Sequence, residues 1–409
     1  MTLFPLPLTE LLGQYGSYFI YLLVGLAFGA TLETAGFGNS KKLAAQFYFK
    51  DLTVFKVMFT AIIVAMVLIF LSSSLGLLDY NLLWVPPTYL WPGIVGGLIM
   101  GVGFIVGGFC PGTSLVAMAT GKVDGVFFVL GVLAGIFMFG ETVSQFAVFF
   151  ESSFMGRFTL PELLGLDYGV VVLAVVLMAL FMFWGAEKIE AATKGETAQK
   201  APRRALPAAA VLVALAVVSL LIGQPDNADR WKMIEAEQSV LLEQRAVQIE
   251  PDELLSLVHD SRIKAVMIDV RNERHYNQFH IHDARRIALE DLEAAAERLM
   301  TEPANTVFIT MSNDEALATE AWKVLKAESL PNVYILEGGI NNWLRSYGDE
   351  DFVRDRYVMD RSDDEPAFRF ELAIGSRHPA AEPTPHGELE FEPKVKLEMK
   401  RAPTGGGCG

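Results

Sequence analysis

GVGFIVGGFCPGTS, residues 101–114, lies inside an apolar run from about Trp91 to Gly121 that carries no charged side chain. A straight membrane helix needs only ~20 apolar residues, so this run is too long for one unbroken span. Gly107, Gly108, Pro111 and Gly112 mark where the backbone can break. Pro111 cannot donate to a preceding helix but suits the first turn of a new one, which would run through Thr113 and Ser114 toward Gly121. A broken helix leaves free N–H groups and a positive dipole end within the bilayer, tolerated only where they face protein or a ligand cavity. Such a break is an anion site in outline, and a thiol at Cys110 beside those N–H groups has its thiolate form favoured. The plainer alternative makes Cys110 a small buried hydrophobe in a glycine-rich packing motif.

Outward from that stretch, the 409-residue chain changes composition near residue 224: hydrophobic runs dominate before it, and charged residues after it supply much of the net −15. Length and apolarity predict about six spans, near 17–38, 57–79, 93–121 (broken), 124–150, 167–184 and 207–223. The first apolar run lacks a basic n-region and an A-x-A site, so it reads as a span and not as a cleaved signal. Basic residues collect in alternate loops: Lys41, Lys42, Lys50 and Lys56, then Lys122, then Lys188, Lys194, Lys200, Arg203 and Arg204. The intervening loops 80–92 and 151–166 hold only Arg157. By the positive-inside rule the basic loops are cytoplasmic, so both termini are expected outside the inner membrane and the C-terminal domain in the periplasm. Trp84, Tyr89 and Trp91 fit an aromatic belt at that outer surface. The acidic balance argues against nucleic acid and anionic headgroups as partners, leaving ordinary membrane lipid around the spans.

Polar residues within the apolar half are candidates for function. Lys41 and Lys42 follow a Gly36-Phe37-Gly38 break and would either draw a dianion to a cytoplasmic mouth or simply anchor topology. Glu33 and Glu141 sit in apolar runs, where a carboxylate is a candidate for proton or ion coupling, with Gln145 one turn beyond Glu141 as its partner.

The motif around Cys110, GxGxxxGGFCPGxSLVAxATG, resembles the core motif of the YeeE/YedE family of sulfur-transport membrane proteins. Residues Gly36 to Phe59, GFGNSKKLAAQFYFKDLTVFKVMF, are similar to that family's companion motif, without the cysteine often found there; Leu43 stands near its place. The resemblance implies that Cys110 contacts thiosulfate; the N–H groups from Gly112 through Thr113 to Ser114 would then hold its oxyanion end, with Gly108, Pro111, Lys41 and Lys42 completing the expected binding set. Full-length members carry the motif pair twice and this chain once, so a homodimer would complete the pathway.

After a helical connector at 224–250, buried strands IKAVMIDVR, NTVFITM and NVYILEGG alternate with the helices LEDLEAAAERLM and EALATEAWKVLKAE, which implies a parallel sheet with helical crossovers over 251–349. VMIDVRNERHYNQFHIHDARRI and VYILEGGINNWL resemble the two signatures of the rhodanese family, with Asp269, Arg271, Tyr276, His280, Glu337, Gly338, Gly339 and Trp343 in place. Rhodaneses carry sulfane sulfur on a cysteine at the end of the strand matching TVFITM. Here the register puts Ser312 there, or Met311 at one residue's slip, and SNDEAL replaces the usual CxxGxR loop. A serine hydroxyl cannot carry sulfane sulfur reversibly, and Asp314 and Glu315 would repel an anion from the loop N–H groups. The domain therefore reads as a catalytically silent docking module in which Asp269, Arg271 and His280 serve strand-end and turn geometry.

From residue 350 to 409 the chain is rich in charge and proline, with β-like alternation in FRFELAI and LEFEPKVKLEM, and ends GGGCG. Glycines around Cys408 make a freely moving tether. The ending is similar to the terminal cysteine of the carrier subunit of the periplasmic thiosulfate-oxidising system; an interchain disulfide or a metal ligand are the competing readings. Together the expectation is a polytopic α-helical membrane domain over 1–223 with broken helices, followed by an α/β rhodanese-like domain. Its expected function is transport of thiosulfate or another reduced sulfur species, with periplasmic sulfur-carrier or sulfur-oxidising proteins as partners and no cofactor or resident metal. The rival expectations are a non-transporting sulfur sensor or scaffold, and a membrane-tethered sulfurtransferase that uses Cys408.

Overall fold

The computed structural model describes residues 4, 6, 8–83, 85–156, 158–194, 205–370, 383 and 389–398. Trp84, Arg157, Lys200, Arg203, Arg204, most of FRFELAI and Cys408 lie outside them. The chain divides between Gln224 and Pro225 into two compact units.

The first unit is helical throughout. Its elements are α1 (Leu8–Thr34), α2 (Ser40–Ala45), α3 (Thr53–Ser74), α4 (Leu90–Gly107), α5 (Pro111–Ala119), α6 (Val123–Thr142), α7 (Ala147–Phe150), α8 (Leu160–Leu164), α9 (Tyr168–Lys194) and α10 (Ala205–Ile222). Among the described residues five stretches are long and apolar enough to cross a membrane: Leu11–Thr34, Thr53–Ser74, Leu90–Ala119, Val123–Phe150 and Tyr168–Thr193. The short apolar α10 makes a sixth only when counted together with the helix that follows it. The first helix starts earlier than hydropathy predicts, with a kink at Gly13 (φ 68°), and α9 runs about ten residues past its expected span because polar residues there continue the backbone hydrogen bonding of the helix.

Helices α3, α9 and α10 pack through Val67, Val172, Val176 and Ala216, all buried. Gly169 makes the approach possible: a Cβ there would lie 2.7 Å from the Leu220 Cα. A second cluster, Phe37, Leu43, Val54, Phe109 and Ala117, ties the α1–α2 turn to the α4–α5 break. Near this end of the unit α5 lies tightly on α6, where a Cβ on Gly125 would come within 2.6 Å of the Ala117 Cβ. Most of the remaining apolar side chains, such as Leu98, Val106 and Phe137, face outward, which is where lipid solvates them.

In the second unit the elements are α11 (Asn227–Glu243), β1 (Gln248–Ile249), α12 (Pro251–His259), β2 (Lys264–Asp269), α13 (Glu273–Gln278), β3 (Arg285–Arg286), α14 (Leu292–Leu299), β4 (Thr306–Met311), α15 (Ala316–Ala327), β5 (Val333–Leu336), α16 (Gly339–Tyr347) and α17 (Glu350–Arg356). The strands form one parallel sheet in the order β1-β5-β4-β2-β3. Every residue of β4 and β5 is buried, the mark of a parallel sheet covered on both faces. Trp322 on α15 is fully buried and donates its indole N–H to the Val333 carbonyl at 2.8 Å. The helix α11, in the segment read as a connector, packs on α15: Trp231 meets Trp322 edge to face at 6.1 Å, and Asn227 and Arg230 both bond Glu328. Residues 389–398 follow the domain without pairing into the sheet. Their N–H groups go to side chains instead, from Lys394 and Val395 to Glu253, from Lys396 to Tyr334 and from Glu398 to Asn332.

Candidate functional site

The apolar run breaks where the glycines allow it. Gly108 ends α4 in the left-handed region (φ 72°), and its N–H closes the last turn on the Phe104 carbonyl at 2.8 Å. Cys110 is extended (φ −91°, ψ 166°) and caps α5, with Pro111 at the first helical position. Its Sγ accepts the Thr113 N–H at 3.4 Å and lies 3.3 Å from the Thr113 hydroxyl, while that hydroxyl accepts the Cys110 N–H at 3.0 Å. Sulfur thus stands where a serine or aspartate oxygen usually sits in a capping box. Of the three N–H groups that sequence reasoning offers to an oxyanion, two are engaged: Thr113 on Sγ, and Ser114 on the Cys110 carbonyl at 3.0 Å. The Gly112 N–H has no partner among the described residues. Thr113 and Ser114 are buried, whereas Cys110 and Gly112 are half-buried.

The second predicted motif comes to the same place. A Cβ on Gly108 would lie 2.9 Å from the Ser40 Cβ, so the start of α2 rests on the break. Ser40 also donates to Asp124 on α6 at 3.1 Å, a link that nothing in the local sequence pattern signals. Lys41 is exposed. Lys42 turns back, its Nζ donating to the Ala35 carbonyl at 2.8 Å at the end of α1, so it neutralises a helix terminus. Glu33 pairs with Lys122 at 3.3 Å, a partner that sequence reading placed only as a loop anchor; its other oxygen is buried without a partner among the described residues. Glu141 is exposed on α6, which passes into a 3-10 turn at Val143–Phe146 that carries Gln145, and no hydrogen bond joins the two among the described residues. A cavity of about 490 Å³ is lined by Phe47, Leu52, Phe55, Phe181 and Met182 among others; its walls are apolar apart from Gln46.

In the second unit the loop after β4 occupies the carboxyl edge of the sheet, where open α/β folds bind ligands. Met311 still belongs to the ladder, opposite Asp269, and Ser312 is the first residue past it. Ser312 is fully buried, and its Oγ accepts the Ala318 N–H at 3.2 Å. The two loop acids do not face the loop N–H groups. Asp314 is held by both Arg361 and Asn341, and Glu315 accepts from Arg245 and the Gly338 N–H, each at 2.7 Å. Burial works against the Asp314 carboxylate, yet those hydrogen bonds outweigh it and keep its pKa below the ordinary value.

Two family models match these two units, Sulphur transport over residues 34–233 and Rhodanese-like domain over residues 250–346. The chain is a sulphur-transport membrane unit fused to a rhodanese-like domain. None of the curated proteins matches it. The sulphur-transport model spans both breaks, at Gly36–Gly38 and at Gly107–Cys110. The rhodanese-like model spans both signatures and the Ser312 loop.

In the rhodanese-like domain the signature residues brace structure. Asp269 and Arg271, both buried, pair through Nε and NH2 at 2.9 and 2.7 Å, and Arg271 reaches on to the Phe279 carbonyl and to Asn313. His280 stacks on Tyr276 at 4.1 Å, and the tyrosine hydroxyl donates to the Ala284 carbonyl. His275 lies beside Asn313, whose Nδ2 points at its Nδ1 from 3.1 Å. Burial, aided by Arg271 and Arg274 and opposed by Glu365 and Asp364, holds the His275 pKa below its ordinary 6.5. A base whose pKa is depressed on folding costs stability as pH falls through its unfolded value. The domain is therefore expected to melt at a lower temperature at about pH 5.5 than at about pH 7.5, with the difference shrinking in His275→Gln. Differential scanning calorimetry at the two pH values checks this, and an unchanged slope in the variant contradicts it.

Gly108 of the sulphur-transport unit carries a second prediction. Alanine there meets both the left-handed backbone, which costs about 1–2 kcal/mol, and Ser40. Gly108→Ala should lower thermal stability in detergent and part α2 from the break, whereas Gly101→Ala, inside α4 with open space around its Cβ, should be neutral to stabilising because alanine is the better helix former. Equal melting temperatures for the two variants would contradict the packing described.

Proposed function

We infer that the chain has a sulfur-transport role in a membrane, a reading supported by the family match and the membrane-spanning helices. Beyond that, we propose that it moves thiosulfate, or a chemically close reduced sulfur anion, across the inner membrane with Cys110 contacting the sulfane sulfur. One observation carries this reading: a cysteine sulfur caps a helix that begins inside an apolar span, with its Sγ on a backbone N–H. The Sγ is held at the start of the helix, and the neighbouring Gly112 N–H, without a partner among the described residues, offers an oxyanion one donor. Pro111 and Gly108 fix the break, Thr113 and Ser114 hold its cap, and Lys41 and Lys42 raise the local positive charge. Glu33 and Glu141 are the groups through which a proton or cation would be coupled; Glu33, paired with Lys122, is the stronger candidate.

The rhodanese-like domain, with Ser312 walled in, acts as a periplasmic docking module, and Cys408 receives or delivers the sulfur. A second copy of the chain supplies the motif pair that longer family members carry twice. The sensor or scaffold reading draws on the same buried Ser312, since a module without a nucleophile suits signalling. Uptake of labelled thiosulfate into proteoliposomes decides between them: flux supports the transporter, and ligand binding without flux supports the sensor. Thiosulfate:cyanide turnover that disappears in Cys408→Ala would instead support a tethered sulfurtransferase. Protease added to either side of sealed membrane vesicles tests the orientation, and removal of the domain only from the cytoplasmic face overturns the periplasmic assignment.

A further inference from the structure

The loop that replaces the usual rhodanese catalytic loop is not empty. Residues 357–369 double back on themselves, pinned by Val358 N–H to the Ala367 carbonyl at 2.8 Å and Arg369 N–H to the Arg356 carbonyl at 2.9 Å. Phe368 and Ala367 anchor this turn in the core. At its tip, Asp364 places one carboxylate oxygen 2.8 Å from the Asp314 N–H and the other 2.7 Å from the Leu317 N–H, at the start of α15. Its carbonyl accepts from the buried Asn313 Nδ2 at 2.6 Å, and its own N–H donates to Asp314 at 3.3 Å. The tip residue adopts φ 58°, a conformation that a non-glycine residue seldom holds without compensating bonds.

The loop N–H groups that the rhodanese resemblance links to an anion are thus satisfied by a carboxylate from about fifty residues further along the chain. The acids once expected to repel an anion are neutralised by Arg361 and Arg245, and Arg361 comes from the same turn as Asp364. We propose that Asp364 is a built-in plug: the cradle of Asp314 and Leu317 N–H groups keeps its affinity for small oxyanions, and the chain's own carboxylate holds it closed against them. The arrangement has two consequences. The domain cannot compete with the membrane site for thiosulfate, and the turn that carries the plug fixes the root of the C-terminal extension to the domain.

Backbone geometry selects the test. Asp364→Gly removes the carboxylate while suiting φ 58°, and Asp364→Asn keeps shape and tolerance of that conformation while removing the charge. Both are made in the full chain carrying Cys110→Ala, so that membrane-site binding, and the transport reading with it, is judged separately. Hydrogen exchange at the Asp314 and Leu317 amides reports on this cradle alone. In the parent it should be slow and indifferent to added thiosulfate; in Asp364→Gly it should be about tenfold or more faster, with Asp364→Asn between them. Millimolar thiosulfate should then restore protection in Asp364→Gly. Unchanged exchange in both variants would overturn the plug, and fast exchange that thiosulfate does not slow would overturn the anion cradle. Should Asp364→Gly fail to fold, the Asn variant carries the same two readouts.

Discussion

Replacing Cys110 by alanine is expected to reduce thiosulfate uptake by proteoliposomes to the level of protein-free vesicles. Two jobs of this residue have to be separated for that result to bear on sulfur. As the cap of α5, Cys110 satisfies the Thr113 N–H, and losing a cap costs about 1 kcal/mol, so part of any defect in Cys110→Ala is structural. Serine is a better cap than cysteine and leaves the helix start intact, but it offers no sulfur to the sulfane sulfur. Cys110→Ser is therefore expected to melt at or above the parent temperature and still to lose uptake, whereas Cys408→Ala should slow uptake without abolishing it. Flux retained by a well-folded Cys110→Ser would sink the proposed sulfur contact.

The largest stability effect should come from Asp269→Ala in the rhodanese-like domain. Its carboxylate and the Arg271 guanidinium are both buried and bond each other through two nitrogens, so truncation strands a buried cation. Breaking such a pair from one side costs about 3–5 kcal/mol, far more than the pair contributes when intact. The damage should spread to the loop after β4, because Arg271 also bonds Asn313, which lies under the Asp364 turn. Asp269→Asn, which keeps acceptor oxygen but not charge, should cost less. Native-state hydrogen exchange of β2 and β4 measures both variants in the full chain. A loss below about 1 kcal/mol for Asp269→Ala would mean that Arg271 finds water or another acceptor.

Much of this architecture was legible because it rests on local chemistry. Gly108 and Pro111 announce the helix break through their own backbone preferences, and the break falls between them. The runs VMID, TVFITM and VYIL announce buried strands by being apolar on both faces, and they form β2, β4 and β5. Hydropathy misses edges such as the long end of α9, where polar residues extend a helix that burial does not require, and it counts the short α10 as a full span.

Pairings between distant residues were not legible. Glu33 reads as a lone intramembrane carboxylate until Lys122 is brought to it, and Asp314 reads as a repulsive charge until Arg361 is. Asp364 has no motif at all; it matters only because a turn places it on two N–H groups about fifty residues upstream. The sequence by itself determined where the chain breaks, buries and changes character, since those follow from each residue's own conformational freedom and solvation. Only the tertiary structure decided which charges are neutralised and which N–H groups are filled. Electrostatic energy depends on separation in space, and spacing along the chain does not encode that separation.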